Sequence, residues 1–142
     1  MAYLDDITKD WMDYHQDGEI LLKCKNSLDD ELVSVYSNNT IYLLGRRYPT
    51  VLFAPKMLLS QAPGEIKIED VLCKQNNIGN GSILMLSLFE FCKRHNIRKI
   101  TGYLSNVDDD HKERRDHYYK KFGFVVTEHS ISKEITYEEV HK

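Results

Sequence analysis

Apolar residues recur along this chain with two different periods, and the period changes at polar turns. Leu4, Ile7, Trp11 and Tyr14 follow a three-and-four spacing, which predicts an amphipathic opening helix. Glu19 to Lys25, Leu32 to Tyr36 and Ile41 to Leu44 read as strands, the last two joined through the turn-rich Ser37-Asn38-Asn39-Thr40. Pro49 and Pro55 interrupt Tyr48 to Ser60, so that segment is expected to hold at most a broken strand and a short helix. Gln61-Ala62-Pro63-Gly64 is a turn. Beyond it Ile66 and Ile68 sit two apart, and the run to Cys73 predicts a strand. Leu84, Leu88, Phe91 and Cys92 return to helical spacing, with Ser87, Glu90 and Arg94 on the wetter face of a helix over 82–96.

The second half continues in the same alternation. Ile97 to Ser105 predicts a further strand, which makes the helix over 82–96 a crossover between parallel strands. A last helix starts near Asp110. Asp108, Asp109 and Asp110 stand at its positive end, Lys120 and Lys121 at its negative end, and Gly123 lies just beyond as a stop. Val125-Val126-Thr127 then forms a β-like tail.

Between the strand ending at Cys73 and the helix lies Gln75-Asn76-Asn77-Ile78-Gly79-Asn80-Gly81-Ser82. Glycine reaches positive φ and has no Cβ to hold a ligand away, and the first N–H groups of a helix have no partner within it. Such a turn suits an anion, a phosphate above all. A plain tight connection is the other reading of a short glycine motif.

Taken together, Asn76-Asn77-Ile78-Gly79-Asn80-Gly81 and Tyr119-Lys120-Lys121-Phe122-Gly123-Phe124 resemble the GNAT superfamily of acyl-CoA-dependent N-acyltransferases. The family pattern is Gln/Arg-x-x-Gly-x-Gly/Ala before a helix, a strand and a helix ending in Tyr-x-x-x-Gly-Phe. The likeness covers roughly residues 65–127, with Asn76 at the usual Gln/Arg position. It implies one α+β domain over 1–142: a mixed, mostly antiparallel sheet flanked by helices, with a splayed parallel pair near 65–74 and 98–105. It also implies acetyl-CoA as cosubstrate, with no metal needed. Contacts would run along Val71, Leu72 and Cys73 and through Asn76, Asn77, Ile78, Gly79, Asn80, Gly81 and Ser82. The pyrophosphate would rest on the N–H groups of Ile78 to Ser82, and the N–H of Val71 or Leu72 would polarise the thioester.

Transfer to a primary amine requires a proton to leave the amine and one to reach the departing thiolate. By the same resemblance Tyr119 is the candidate acid, although an aromatic beside Tyr118 and Phe122 at helical spacing also reads as core. Strand alternation puts Glu65 and Glu69 on the face opposite Ile66 and Ile68, which makes Glu69 the first candidate base; a solvated strand face is the other reading. A non-catalytic acyl-CoA-binding or regulatory module, and an interaction domain whose turn binds nothing, are the alternatives.

Composition narrows the classes. A hydrophobic content of 42% with 11% aromatics argues for a globular chain rather than a disordered one. A formal net charge of −3 gives no support for nucleic acid as the main partner, and no apolar run is long enough for a bilayer. The surplus of acids lies within residues 1–70, which suits a cationic amine acceptor, small molecule or peptide. Cys24, Cys73 and Cys92 form no CxxC pair and no export leader opens the chain, so reduced thiols in the cytoplasm are expected. The six histidines form no HxxxH pair.

Overall fold

The computed structural model of the chain describes residues 2–73, 79–104 and 109–137. In chain order the elements are α1 (Ala2–Tyr14), β1 (Glu19–Lys25), β2 (Glu31–Ser37), β3 (Thr40–Gly45), β4 (Lys56–Ala62), β5 (Glu65–Leu72), α2 (Asn80–Arg94), β6 (Lys99–Tyr103), α3 (Asp109–Lys121), β7 (Val125–Val126) and β8 (Ser130–Glu134). The described strands form one mixed sheet in the order β1-β2-β3-β4-β5-β6-β8-β7. Only β5 and β6 pair in parallel among the registered pairs. Two compact units divide the chain, Met1–Leu59 with Asp70–Phe91, and Ser60–Glu69 with Cys92–Lys142.

In the first unit the alternation of β2 sets the layering. Val33 and Val35 pack with Leu4, Ile7 and Trp11 of α1, and with Leu44 and Ala54. The intervening Ser34 and Tyr36 meet α2 instead: Ser34 Oγ lies 2.6 Å from Ser87 Oγ, and the Tyr36 ring stacks on Phe91 at 4.1 Å. Opposite faces of one strand therefore carry opposite helices. Each fully buried aliphatic side chain here contributes roughly 1.5–3 kcal/mol, so the helices are held by these stripes rather than by propensity. The Ser34–Ser87 pair is buried but satisfied. The Leu22 N–H donates to Ser34 Oγ, and Ser87 Oγ sits 2.7 Å from the Ile83 carbonyl, so each hydroxyl has both a donor and an acceptor beside it. A register shift between Ile20 and Leu22 makes that side-chain bond available.

The hairpin between β2 and β3 forms as expected, with Asn38 and Asn39 at φ 48° and 61°, the left-handed pair a two-residue turn requires. The stretch 48–60 differs from expectation. No helix forms among residues 46–55, and a regular strand, β4, begins immediately after Pro55 and runs to Ala62. Pro55 precedes the strand rather than interrupting it, which is where a residue without an N–H does least harm to a ladder.

In the second unit β5 and β6 are paired from Glu65↔Lys99 to Ile68↔Gly102. Ile66, Ile68, Ile100 and Ile131 are buried. β8, which the periodicity did not indicate, pairs with both β6 and β7. Its sequence, Ser130-Ile131-Ser132-Lys133-Glu134, has one apolar residue, so backbone pairing and the burial of Ile131 hold it in place.

Candidate functional site

The start of α2 is closed by Gly79, whose carbonyl accepts the first helical bond from the Ile83 N–H at 3.0 Å. Gly79 takes φ +92°, a left-handed conformation that glycine adopts without strain. Gly81 does not share it: it lies within the first helical turn and is not needed there for a left-handed backbone. That turn, Asn80-Gly81-Ser82-Ile83, carries no acidic side chain, and the positive end of the helix dipole is uncompensated by a carboxylate of its own. Asn76, Asn77 and Ile78 lie outside the described residues.

Asn80 is fully buried, and its side chain faces protein. Its Oδ1 accepts from Asn26 Nδ2 at 2.9 Å, and its Nδ2 donates to the Tyr48 hydroxyl at 3.5 Å. Any cofactor contact by Asn80 would have to come from its main chain. Asn26 and Tyr48 were not singled out by sequence reasoning. The only local signal for Asn26 is the polar loop Asn26-Ser27-Leu28-Asp29-Asp30, in which Asp29 sits at φ 63°.

Pairing of β5 with β6 ends at Ile68↔Gly102, whereas β5 itself runs on to Leu72. In this last stretch Glu69 and Asp70 are both exposed, so the strict alternation of Ile66 and Ile68 is lost. The Val71 N–H donates to Asp70 Oδ1 at 2.8 Å. Leu72 is exposed and Cys73 half-buried.

Glu69 lies on the face opposite the buried isoleucines, as alternation requires. Its carboxylate is 3.1 Å from Lys67 Nζ, which in turn lies 4.5 Å from the centre of the Tyr103 ring. On the same face Thr101 Oγ1 donates to Glu65 Oε2 at 3.3 Å. The result is a polar strand surface with opposite charges side by side.

Tyr119 is buried, with its ring edge-on to Tyr118 and Phe124 at 5.0 and 5.5 Å. The Phe124 N–H returns to the Tyr119 carbonyl at 3.2 Å and the Gly123 N–H to the Lys120 carbonyl at 3.0 Å, with Gly123 at φ +87°. These two bonds and the Tyr119–Phe124 ring contact make up a Schellman motif. The Tyr-x-x-x-Gly-Phe pattern thus has a structural cause: tyrosine and phenylalanine are the hydrophobic pair that closes the helix, and glycine supplies the left-handed residue between them.

Other candidate groups play plainer parts. Cys92 is buried and its thiol is pushed up to about 12 by desolvation; burial also pushes the Cys24 thiol up. Lys112, Arg114, Lys120 and Lys121 are exposed, and Arg115 pairs with Asp116 at 3.3 Å. Among the described residues no cluster of His, Cys, Asp or Glu is arranged to hold a metal, and no helix is long and apolar enough to cross a membrane.

No family model matches the sequence. The "Uncharacterized protein YocC" of Bacillus subtilis (strain 168) is 36% identical over 70 residues, 49% of this chain and 42% of that protein, so the match covers less than half of the relative's length. The fold is similar to a nourseothricin acetyltransferase, with a TM-score of 0.53 and 13% identity over 82% of this chain and 86% of that one. It is also similar to a Bacillus anthracis str. Ames protein described as a streptothricin acetyltransferase, solved with acetyl coenzyme A, with a TM-score of 0.52 and 14% identity over 87% and 88%. PaiA N-acetyltransferase of Thermoplasma acidophilum, solved with coenzyme A, gives a TM-score of 0.50 and 13% identity over 68% and 60%. These are GNAT acetyltransferases, and their fold is the fold of this chain.

Proposed function

We propose that this chain, with the GNAT acyltransferase fold as premise, is an acetyl-CoA-dependent N-acetyltransferase acting on a primary amine, its residues 1–142 working as one catalytic domain in the cytoplasm. The observation that carries the reading is the end of β5. Its pairing with β6 stops at Ile68↔Gly102, and the chain runs on through Val71 and Leu72 before a helix opened by a left-handed glycine and free of acids in its first turn. A parted strand suits a ligand that hydrogen-bonds like an added strand, and such a helix start suits a diphosphate without a metal.

In this reading the N–H groups from Ile78 to Ser82 receive the pyrophosphate, and Cys73 and the ends of Val71 and Leu72 flank the thioester arm. The Leu72 N–H polarises the thioester carbonyl; the Val71 N–H does so once Asp70 releases it. The amine nitrogen attacks that carbonyl, forming a C–N bond as the C–S bond breaks. Glu69, or a water it orients, takes the amine proton, and Tyr119 protonates the departing thiolate. A second reading, a non-catalytic acyl-CoA-binding module, is favoured by the Lys67 ion pair that already engages Glu69.

The test has two measurements. Acetyl-CoA should raise thermal stability, by ~2.7 kcal/mol at a hundredfold excess over its dissociation constant. CoA should then be released with at least one member of an amine panel of polyamines, nourseothricin, streptothricin and peptide amino termini. Stabilisation without release selects the binding module. Neither stabilisation nor release removes both readings.

A further inference from the structure

We infer that Asn26, in the loop between β1 and β2, is a positioning residue that sets the start of α2 for the diphosphate of the cosubstrate; the inference rests on the acyl-CoA reading above. Asn26 is buried and its amide is saturated. Nδ2 donates to Asp30 Oδ2 at 3.2 Å and to Asn80 Oδ1 at 2.9 Å, while Oδ1 accepts the N–H groups of Leu28 at 2.9 Å and Asp30 at 3.1 Å. Two donors and two acceptors are all that an asparagine side chain possesses. Three of these bonds shape the loop, and the fourth reaches the first residue of α2.

The contact is steric as well as polar. A Cβ placed on Gly79 would lie 3.7 Å from the Ser27 nitrogen and 3.9 Å from Asn26 Cα, so the backbone that opens the helix rests directly on this loop. Arg47 Nε, 3.1 Å from Asp30 Oδ2, braces the loop from the β3–β4 connection, and Tyr48 holds the other end of the Asn80 amide. A buried amide has few ways to relax, since turning Asn80 would strand its oxygen and its nitrogen together. Main-chain donors bind an anion well only when they converge on one point, and small misplacements of such donors are costly. Asn26 fixes that convergence without touching the ligand.

Neither aspartate nor alanine fills the role. Aspartate at 26 loses both donors and faces the Asp30 carboxylate and the Asn80 oxygen. Alanine leaves the Leu28 and Asp30 N–H groups and the Asn80 oxygen unpaired.

The experiment compares CoA dissociation constants by calorimetry for wild type, Asn26→Ala, Asn26→Asp and Asn80→Ala, at a temperature where circular dichroism shows each folded. Asn26→Ala and Asn80→Ala should weaken CoA about tenfold, and Asn26→Asp by more. In turnover, KM for acetyl-CoA should rise while KM for the amine and kcat at saturating acetyl-CoA stay within about twofold. The double variant Asn26→Asp/Asp30→Asn restores an amide–carboxylate pair within the loop but supplies no donor to Asn80 Oδ1, so it should recover little of the affinity lost in Asn26→Asp; full recovery would overturn the inference by showing that the loop's own shape, not the arm to Asn80, sets the site. Should Asn26→Ala fail to fold, Asn80→Ala decides, because it leaves the internal bonds of the loop intact. Wild-type CoA affinity in the folded variants overturns the inference and leaves the acyltransferase reading standing. A wild-type chain that does not bind CoA overturns that reading and the inference with it.

Discussion

The start of α2 and the end of α3 carry the candidate chemistry, and they are held by opposite means. At the end of α3 the bonds that close the helix lie within five residues: Tyr119, Lys120, Gly123 and Phe124 complete the Schellman motif among themselves. At the start of α2 the partners come from far along the chain, Asn26 at a separation of 54 residues and Tyr48 at 32. A locally closed end is specified by a short motif and forms as soon as its helix does, whereas the other waits for β1, β2 and β3 to assemble. The geometry of the proposed acid at α3 is therefore written locally, and that of the proposed cofactor turn at α2 is delegated to loops elsewhere.

Three substitutions sharpen or break this contrast, and the largest effect is expected at Gly81. Because Gly81 does not need positive φ, Gly81→Val should fold, yet its branched side chain would stand between the helix main chain and a bound diphosphate. CoA affinity should fall by more than about a hundredfold, which removes the ~2.7 kcal/mol of stabilisation expected at a hundredfold excess. Unchanged affinity in the folded variant, read by calorimetry, would mean that no diphosphate sits there.

Tyr119→Phe keeps the ring that closes the Schellman motif and removes only the hydroxyl. If that hydroxyl protonates the leaving thiolate, turnover should drop by ~10²-fold with folding and CoA affinity intact, and the high-pH limb of the rate profile should flatten. Wild-type turnover would reduce Tyr119 to a packing residue, and the contrast would then be between a binding site and a helix stop.

Gly123→Ala gives the smallest effect. The new methyl would come 2.6 Å from Lys133 Nζ, the movable end of a long side chain, so the cost is set by φ +87°. Left-handed backbone costs an alanine roughly 1–2 kcal/mol, to be measured from the shift in denaturant midpoint. A shift indistinguishable from zero would show that the local motif does not hold this end.

The same division explains what could be read from the sequence. Helix α3, its stop at Gly123, the β2–β3 hairpin and the isoleucine face of β5 were legible because period, cap and turn signals act within a few residues. β8 was illegible because Ser130 to Glu134 carries a single buried residue and exists through pairing with β6 and β7. β4 was obscured by its neighbouring proline, which reads as interruption until the strand's start is known. At the candidate site, Gly79 to Ser82 was recognisable as a glycine turn, whereas the side-chain role of Asn80 was hidden by its dependence on Asn26 and Tyr48. No spacing rule connects residues so far apart.

The burial of Cys92 has a practical side for anyone who follows CoA release with a disulfide reagent. Only thiolates attack such reagents, and a thiol pushed up to about 12 by burial stays protonated at the mildly alkaline pH of such assays. Cys24 is slowed by burial in the same sense. Unfolding would bring all three thiols into reaction. In an assay of the proposed activity the reagent therefore counts two things at once, any released CoA in the first minutes and loss of native structure thereafter, and a creeping baseline without amine would mark a preparation that is coming apart.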